Sequence, residues 1–126
     1  MSKKDEQREI ADKILEATEK RYGFVPLVNK VLSRRPDIFI PSANFTQSLL
    51  ENEDQALERK TRFLCAVSAA SAVGGEHCIN VQMKHAKEAG ASKDEILEAI
   101  TIGSLMAMTK SQSYAFRKYE EIFGSE

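Results

Sequence analysis

Apolar residues recur along the chain at the three- and four-residue spacing of amphipathic helices. Ile10, Ile14, Leu15 and Ala17 share one face and predict a first helix over about residues 4–22. No segment alternates apolar with polar residues in the manner of a half-buried strand, and no hairpin turn signal occurs. The pattern therefore predicts an all-α protein.

Prolines mark the starts of the next two predicted helices. Pro26 is expected to be the first residue of a short helix, and Pro36 opens a longer one that runs to about Leu50. Pro41 is expected to kink or divide this longer helix. The short helix is expected to carry Leu27, Val28, Val31 and Leu32, and the longer one to bury Ile38, Phe39, Phe45, Leu49 and Leu50.

The segment FLCAVSAASAV, residues 63–73, is the most apolar part of the chain and completes a helix that begins near Leu57. Nine of its eleven residues are apolar, so we expect a central helix that is enclosed on all sides. Its alanines and serines remove bulk and let neighbouring helices approach closely. On this interpretation Cys65 is a buried structural cysteine.

Glycines and a capping box set the limits of the remaining helices. A short helix is expected between Gly75 and Gly90, with Gly90 as the left-handed residue that closes it. Ser92 and Glu95 form a capping box that starts the next helix. The helices that follow are expected to carry a buried stripe of Ile96, Leu97, Ile100, Leu105 and Met106, and then a separate last helix from about Gln112 to Phe123 with Tyr114, Phe116, Tyr119 and Ile122.

Composition narrows the classes of function. The 18 basic and 19 acidic residues are interspersed, which predicts no nucleic-acid partner and no anionic lipid surface. No apolar run reaches the roughly 20 residues of a membrane span, and the charged start MSKKDEQREI does not resemble a signal peptide. We expect a single domain over residues 1–126, cytoplasmic, with both cysteines as thiols.

Most candidate chemistry lies in the stretch GGEHCINVQMKHAKEAG, residues 74–90. Cys78 falls in the first turn of the predicted helix, where unpaired N–H groups and the positive end of the macrodipole stabilise a thiolate. Glu76 opposes that effect and is more often a favourable first-turn charge than an acid catalyst. His77 precedes Cys78, and an exposed or capping role fits it as well as a catalytic one.

Two further polar residues follow Cys78 on the same helix. Gln82, one turn away, can donate or accept a hydrogen bond but cannot exchange protons. His85 lies seven positions from Cys78, about 10 Å along the axis, so it cannot act as a direct general base, and a surface histidine is the favoured interpretation. Neighbouring His77 and Cys78 diverge on a helix, so neither a metal site nor a cofactor is expected.

Three segments in order resemble the alkylhydroperoxidase D and carboxymuconolactone decarboxylase superfamily: GFVPLVNKVLSRRPDIF, LERKTRFLCAVSAASAVGGEHC and AKEAGASKDEILEAI. The resemblance implies a multi-helical fold around a central antiparallel helical hairpin. It also implies self-association as dimers, trimers or hexamers.

The resemblance carries over to the site only in part. The peroxidase branch has a C-x-x-C pair with a histidine between the cysteines, a second histidine four residues later and a glutamate twelve residues before the pair. Cys78 and His77 match the second cysteine and the intervening histidine. Gly75, Gln82 and Phe63 stand at the positions of the first cysteine, the distal histidine and the glutamate. The decarboxylase branch also resembles this region, and Gln82 replaces its histidine too.

Cys65 is not expected to replace the missing cysteine. In an antiparallel hairpin that turns at residues 74–75, the axial offset between Cys65 and Cys78 is about 9 Å, beyond disulfide reach of about 7 Å between Cα atoms. Cys65 also lies about 200° around the helix from Phe63, so the two side chains face different ways.

Three functional interpretations follow. The first is thiol-dependent peroxidase or disulfide-exchange activity through Cys78, with a small thiol or a redoxin as the reductant. The second is a non-catalytic oligomer that binds a ligand at the former site, which Phe63 favours because it makes that corner apolar. Decarboxylation or lactone chemistry is the third.

Overall fold

The computed structural model describes residues 1–124, and all of the secondary structure in that range is helical. This confirms the predicted fold class. The described residues form two compact units, residues 1–52 and the chain from residue 53 onward. The single-domain arrangement stays a prediction.

Within residues 1–124 no helix combines the length and the apolar character that crossing a membrane requires. The six helices are α1 (Lys3–Tyr22), α2 (Leu27–Leu32), α3 (Pro36–Leu50), α4 (Arg59–Val73), α5 (Glu76–Glu88) and α6 (Lys93–Phe123).

The first unit contains α1, α2 and α3, with its core at Ala11 and Phe39. Pro26 is the N-cap of α2 rather than its first residue. The helix α3 runs through Pro41 without division, because the carbonyl that loses its donor belongs to Asp37 in the exposed first turn. The last turns of α1 and α3 are joined by an ion pair between Arg21 and Glu51 at 2.6 Å.

The expected burial in the first unit was largely wrong. Of the residues predicted to face inward, Phe39 is buried, whereas Phe45 is 69% exposed. Three helices in about 50 residues have too little surface to cover every apolar side chain that they carry. The other residues predicted to be buried but found exposed are Ile38 and Leu49, and Leu27, Val28 and Val31 of α2 are exposed as well.

The second unit is built on a hairpin of α4 and α5. The left-handed Gly74, at φ +75°, ends α4, and α5 begins two residues later. Phe63 and His85 lie eleven residues before and after Gly74, and their rings are in contact. Equal distances from the turn place the start of α4 beside the end of α5. The hairpin is therefore antiparallel, as the family resemblance implied.

The helix α6 is one continuous helix of 31 residues. The prediction of a separate last helix from Gln112 was wrong, since neither proline nor glycine occurs between Gly103 and Gly124 to end the helix. The capping box of Ser92 and Glu95 is present as predicted. The helix packs on α4 through Ile96, Ala99 and Gly103, and it has no buried residue beyond Gly103 within the described chain.

Two predictions of burial in the second unit need correction. The central helix α4 buries Phe63, Val67 and Ala70 on one face, while Cys65 and Val73 are exposed on the other. Both α5 and α6 pack on α4, and together they cover only part of its surface. On α6, the predicted inward residues Leu97, Leu105 and Met106 are exposed.

Candidate functional site

Cys78 lies where the sequence predicts it, at the third position of α5, and its side chain is exposed. The N-cap residue Gly75 has no side chain to cap the helix, and its carbonyl accepts the first helical hydrogen bond from the Ile79 N–H at 2.8 Å. The backbone N–H groups of this turn therefore point toward the sulfur-bearing end of the helix. The thiol is open to solvent and to small molecules.

Gly75 leaves open the space where the family has its first cysteine. A Cβ atom built on Gly75 would lie 3.5 Å from Cys78 Cβ and 3.9 Å from Cys78 Sγ, both ordinary contact distances. The backbone of Gly75 has φ −79°, which any residue can adopt. A side chain at this position would thus pack directly against Cys78, and the site lacks its second sulfur only because residue 75 is glycine.

His77 and Glu76 flank the thiol on its N-terminal side, and both are exposed. Glu76 lies in the first turn of α5, where its charge complements the helix dipole. These two residues form a solvated, polar surround for the sulfur.

Gln82 follows Cys78 by one turn of α5 and is half-buried. Its Oε1 atom is shielded from solvent and accepts no hydrogen bond from the described residues. An amide can supply a hydrogen bond at this position but neither takes nor gives a proton at neutral pH. The position of the family's distal histidine is therefore polar without being an acid or a base.

Phe63 fills the position of the family's glutamate and is completely buried. Its ring meets the imidazole of His85 edge-on, with centroids 5.0 Å apart, and the Arg59 guanidinium carbon lies 4.9 Å from the ring centroid. His85 is only 4% exposed. The prediction of a surface histidine was wrong, because the antiparallel register brings His85 level with Phe63. The aromatic pair holds α4 against α5 about two helical turns away from Cys78, since His85 follows Cys78 by seven residues.

Cys65 and Cys78 are both free thiols, and both are exposed. The prediction that Cys65 is a buried structural cysteine was wrong, since it lies on the face of α4 opposite Phe63. In the register fixed by Phe63 and His85, Cys65 is level with Met83 rather than with Cys78. The chain thus offers two exposed thiols in different settings, one at a helix start and one within a helix.

Two features of this unit were not anticipated from the sequence. Arg62 is only 7% exposed, a burial that its charge did not suggest. Gly103 lies against α4, where an added Cβ would be 2.0 Å from the backbone oxygen of Ser68. A glycine amid apolar helical residues was the available signal for a close helix contact. In the described part of the chain, no group of three or more His, Cys, Asp or Glu residues is arranged to hold a metal ion.

This geometry defines the class of protein. It is all-helical, it has a central antiparallel hairpin, and the second helix of that hairpin opens with an exposed cysteine. The chain belongs to the carboxymuconolactone decarboxylase family, whose model matches residues 36–121. The match runs from the first residue of α3 to near the end of α6, and it confirms the superfamily resemblance. No curated protein and no solved structure matches the chain.

Proposed function

We propose that this protein is a thiol-dependent peroxidase or disulfide-exchange protein that works through the single cysteine Cys78. One observation carries the proposal: the Cys78 side chain is exposed in the first turn of α5. A thiolate at a helix N-terminus is stabilised by the helix dipole and by nearby N–H groups, and exposure gives an oxidant access to it. The family's first cysteine is absent, so the catalytic cycle needs a second thiol from another molecule.

The cycle has three balanced steps. The Cys78 thiolate attacks one peroxide oxygen, the O–O bond breaks, and the products are a sulfenic acid and an alkoxide that takes a proton from water. An external thiol then attacks the sulfenic sulfur, which forms a mixed disulfide and releases water. A second external thiol attacks that disulfide and restores Cys78. One peroxide and two thiols thus become one alcohol, one disulfide and one water.

The reductant in this proposal is a small thiol or a redoxin, because both cysteines of the chain face solvent rather than each other. Phe63 and Gln82 replace the acid and base of the family's proton relay, so solvent must supply the protons. We therefore infer a slow peroxidase, in which water and the helix terminus supply what the relay supplies in the relatives.

Cys65 is a matched control for this proposal because it is also an exposed thiol. The protein, treated with limiting hydrogen peroxide in the presence of a sulfenic acid trap, should carry the trap on Cys78 and not on Cys65, as mapped by peptide mass spectrometry. Cys65→Ser should keep thiol-dependent peroxide consumption, and Cys78→Ser should lose it. Equal labelling of the two cysteines, or labelling no faster than that of glutathione, would contradict the proposal.

A second candidate is a non-catalytic oligomer, and the packing of Phe63 against His85 favours it because a buried aromatic pair replaces a proton relay. Self-association is supported by α6, where Phe116, Tyr119 and Phe123 recur at helical spacing and are 61%, 57% and 68% exposed. An apolar stripe on a helix is stable in water when a second helix covers it.

Sedimentation velocity tests the self-association. The full chain should sediment as an oligomer of defined size, and Phe116→Glu should shift it toward the monomer. Phe45→Glu, an exposed phenylalanine of α3, is the matched control and should leave the oligomer intact. A monomeric full chain would remove this candidate.

A further inference from the structure

A groove of about 710 Å³ lies between α5 and the first two turns of α6. Its apolar lining comes from Met83 on α5 and from Ile96, Leu97 and Ile100 on α6. Cys78 does not line it, so the groove is separate from the thiol site. Leu97 is 60% exposed, so its side chain is accessible to a ligand in the groove. The volume lies within the range of small-molecule sites.

Positive charge surrounds this apolar lining. Lys84, Lys87 and Lys93 line the groove together with one acidic residue, Asp94. None of the three lysines forms an ion pair with another residue in the described chain, whereas Lys60 nearby is paired with Glu95. Three cations against one anion leave the rim net positive, and lysines without partners keep their donors available to a ligand.

Two of the three lysines lie at one end of the groove, whereas Lys84 lies further along it, next to Met83 in sequence. Lys87 is near the end of α5 and Lys93 is the first residue of α6, so both lie beside the connection between the helices. Ile100 lies seven residues further along α6, which corresponds to about 10 Å of helix. A ligand in the groove would therefore meet two cations at one end, and aliphatic carbon with one further cation, Lys84, along the rest.

We propose that this groove binds a linear aliphatic monocarboxylate of medium length. The carboxylate accepts hydrogen bonds from the ammonium groups of Lys87 and Lys93, and the alkyl chain lies on Leu97 and Ile100. Two lysines at one end favour an anion over a neutral head group, because a carboxylate adds the attraction of opposite charges to the hydrogen bonds that a neutral hydroxyl can also accept. The lining residues run from the end of α5 along the first two turns of α6, which leaves room for an extended chain. This proposal does not depend on the chemistry of Cys78.

Calorimetric titration of the full chain with decanoate, below its micelle concentration, tests the proposal. Decanoate should bind one site per chain, and decanol, which has the same chain but no charge, should bind at least about tenfold more weakly. Decyltrimethylammonium, with the opposite charge, should not bind. Higher salt should weaken decanoate binding because the head group is near the surface. Equal binding of decanoate and decanol would overturn the assignment.

Matched substitutions localise the site. Leu97→Gln should abolish decanoate binding, whereas Leu27→Gln changes a leucine that is exposed elsewhere and should leave it unchanged. The double substitution Lys87→Gln with Lys93→Gln should weaken decanoate about tenfold and leave decanol unchanged, and Lys110→Gln should alter neither.

Circular dichroism and sedimentation of each variant separate loss of the site from loss of the fold. Leu97 is exposed, so Leu97→Gln should keep the wild-type helical signal and oligomeric state. Undiminished decanoate binding by Leu97→Gln would overturn the proposal. A changed oligomeric state in this variant would overturn it too, because the groove would then be a contact between copies of the chain.

Discussion

The ring of Phe63 and the imidazole of His85 pack edge-to-face across the α4–α5 hairpin, with a centroid distance of 5.0 Å and an interplanar angle of 63°. Each residue is eleven positions from Gly74, so this contact fixes the register of the two helices. Phe63 stands where the resemblance to the peroxidase branch implies a glutamate, and His85, the one histidine after Cys78, is buried beside it. The pair stabilises the hairpin at the level of the last turn of α5.

Phe63→Ala tests how much of the stability this contact provides. Phe63 is completely buried, so its removal should lower the free energy of unfolding by about 3–5 kcal/mol, from lost transfer energy and the cavity left behind. Urea denaturation followed by circular dichroism measures this. Phe45→Ala removes a phenylalanine that is 69% exposed and should change stability by no more than about 0.5 kcal/mol. Similar losses in the two variants would show that Phe63 does not anchor the hairpin.

Gly103→Ala should destabilise the protein although alanine is the better helix former. Gly103 is buried in α6, and an added Cβ would lie 2.0 Å from the Ser68 backbone oxygen, so α4 and α6 must separate. The cost of such overpacking is about 1–3 kcal/mol, which exceeds the roughly 1 kcal/mol gained in helix propensity. Ser104→Ala, at the exposed neighbouring position, should be neutral or slightly stabilising. The denaturation midpoints of both variants show whether each substitution raises or lowers the stability. A stabilised Gly103→Ala would show that α4 and α6 are not in contact there.

Local signals in the sequence predicted the helix ends well. The capping box needs only Ser92 and Glu95, which are three residues apart and hydrogen-bond to each other's backbone. Gly90 follows the end of α5 with a φ of +95°, a backbone conformation that only glycine adopts without strain. Such features depend on a few neighbouring residues. They can be recognised without knowledge of the remaining chain, and so can the position of Cys78 in the first turn of α5.

Burial depends on residues that are distant in sequence, and here the sequence was a poor guide. His85 is polar and was assigned to the surface, but the hairpin register places it against Phe63. Cys65 was assigned to the core by its apolar neighbours, although α4 is covered on one face only. The pattern showed that α4 is apolar but not which of its faces α5 and α6 would occupy.

The stability of the second unit should depend on pH through Glu95. The Ser92 backbone N–H donates to the Glu95 carboxylate at 2.9 Å, and the Lys60 ammonium lies 3.0 Å from it. These contacts hold the pKa of Glu95 below its ordinary value of 4.5, the backbone hydrogen bond contributing most. A lowered pKa stabilises the fold fully above pH 4.5, and the contribution is lost as the pH falls through the folded-state pKa.

Glu95→Gln should therefore reduce the free energy of unfolding at neutral pH, and its difference from wild type should shrink as the pH falls below 4.5. Urea titrations across this range measure the difference. The effect is small because the carboxylate is near solvent. Glu98→Gln removes another exposed carboxylate from the same helix and serves as the control for the loss of one negative charge. A difference between Glu95→Gln and wild type that is constant with pH would contradict this account.

Gly75→Cys should create a redox-active disulfide with Cys78. The Cβ–Cβ distance of 3.5 Å lies at the short end of the range seen in disulfides, and the φ of −79° at Gly75 accepts a side chain without strain. After mild oxidation, the intact mass should fall by two hydrogens, and peptide mapping should link residue 75 to Cys78 and leave Cys65 reduced. Gly74→Cys is the control, since its φ of +75° strains any side chain and an added Cβ has no neighbour within 4 Å. If Gly75→Cys remained reduced under conditions that oxidise ordinary C-x-x-C pairs, Gly75 would not be the structural counterpart of the family's first cysteine.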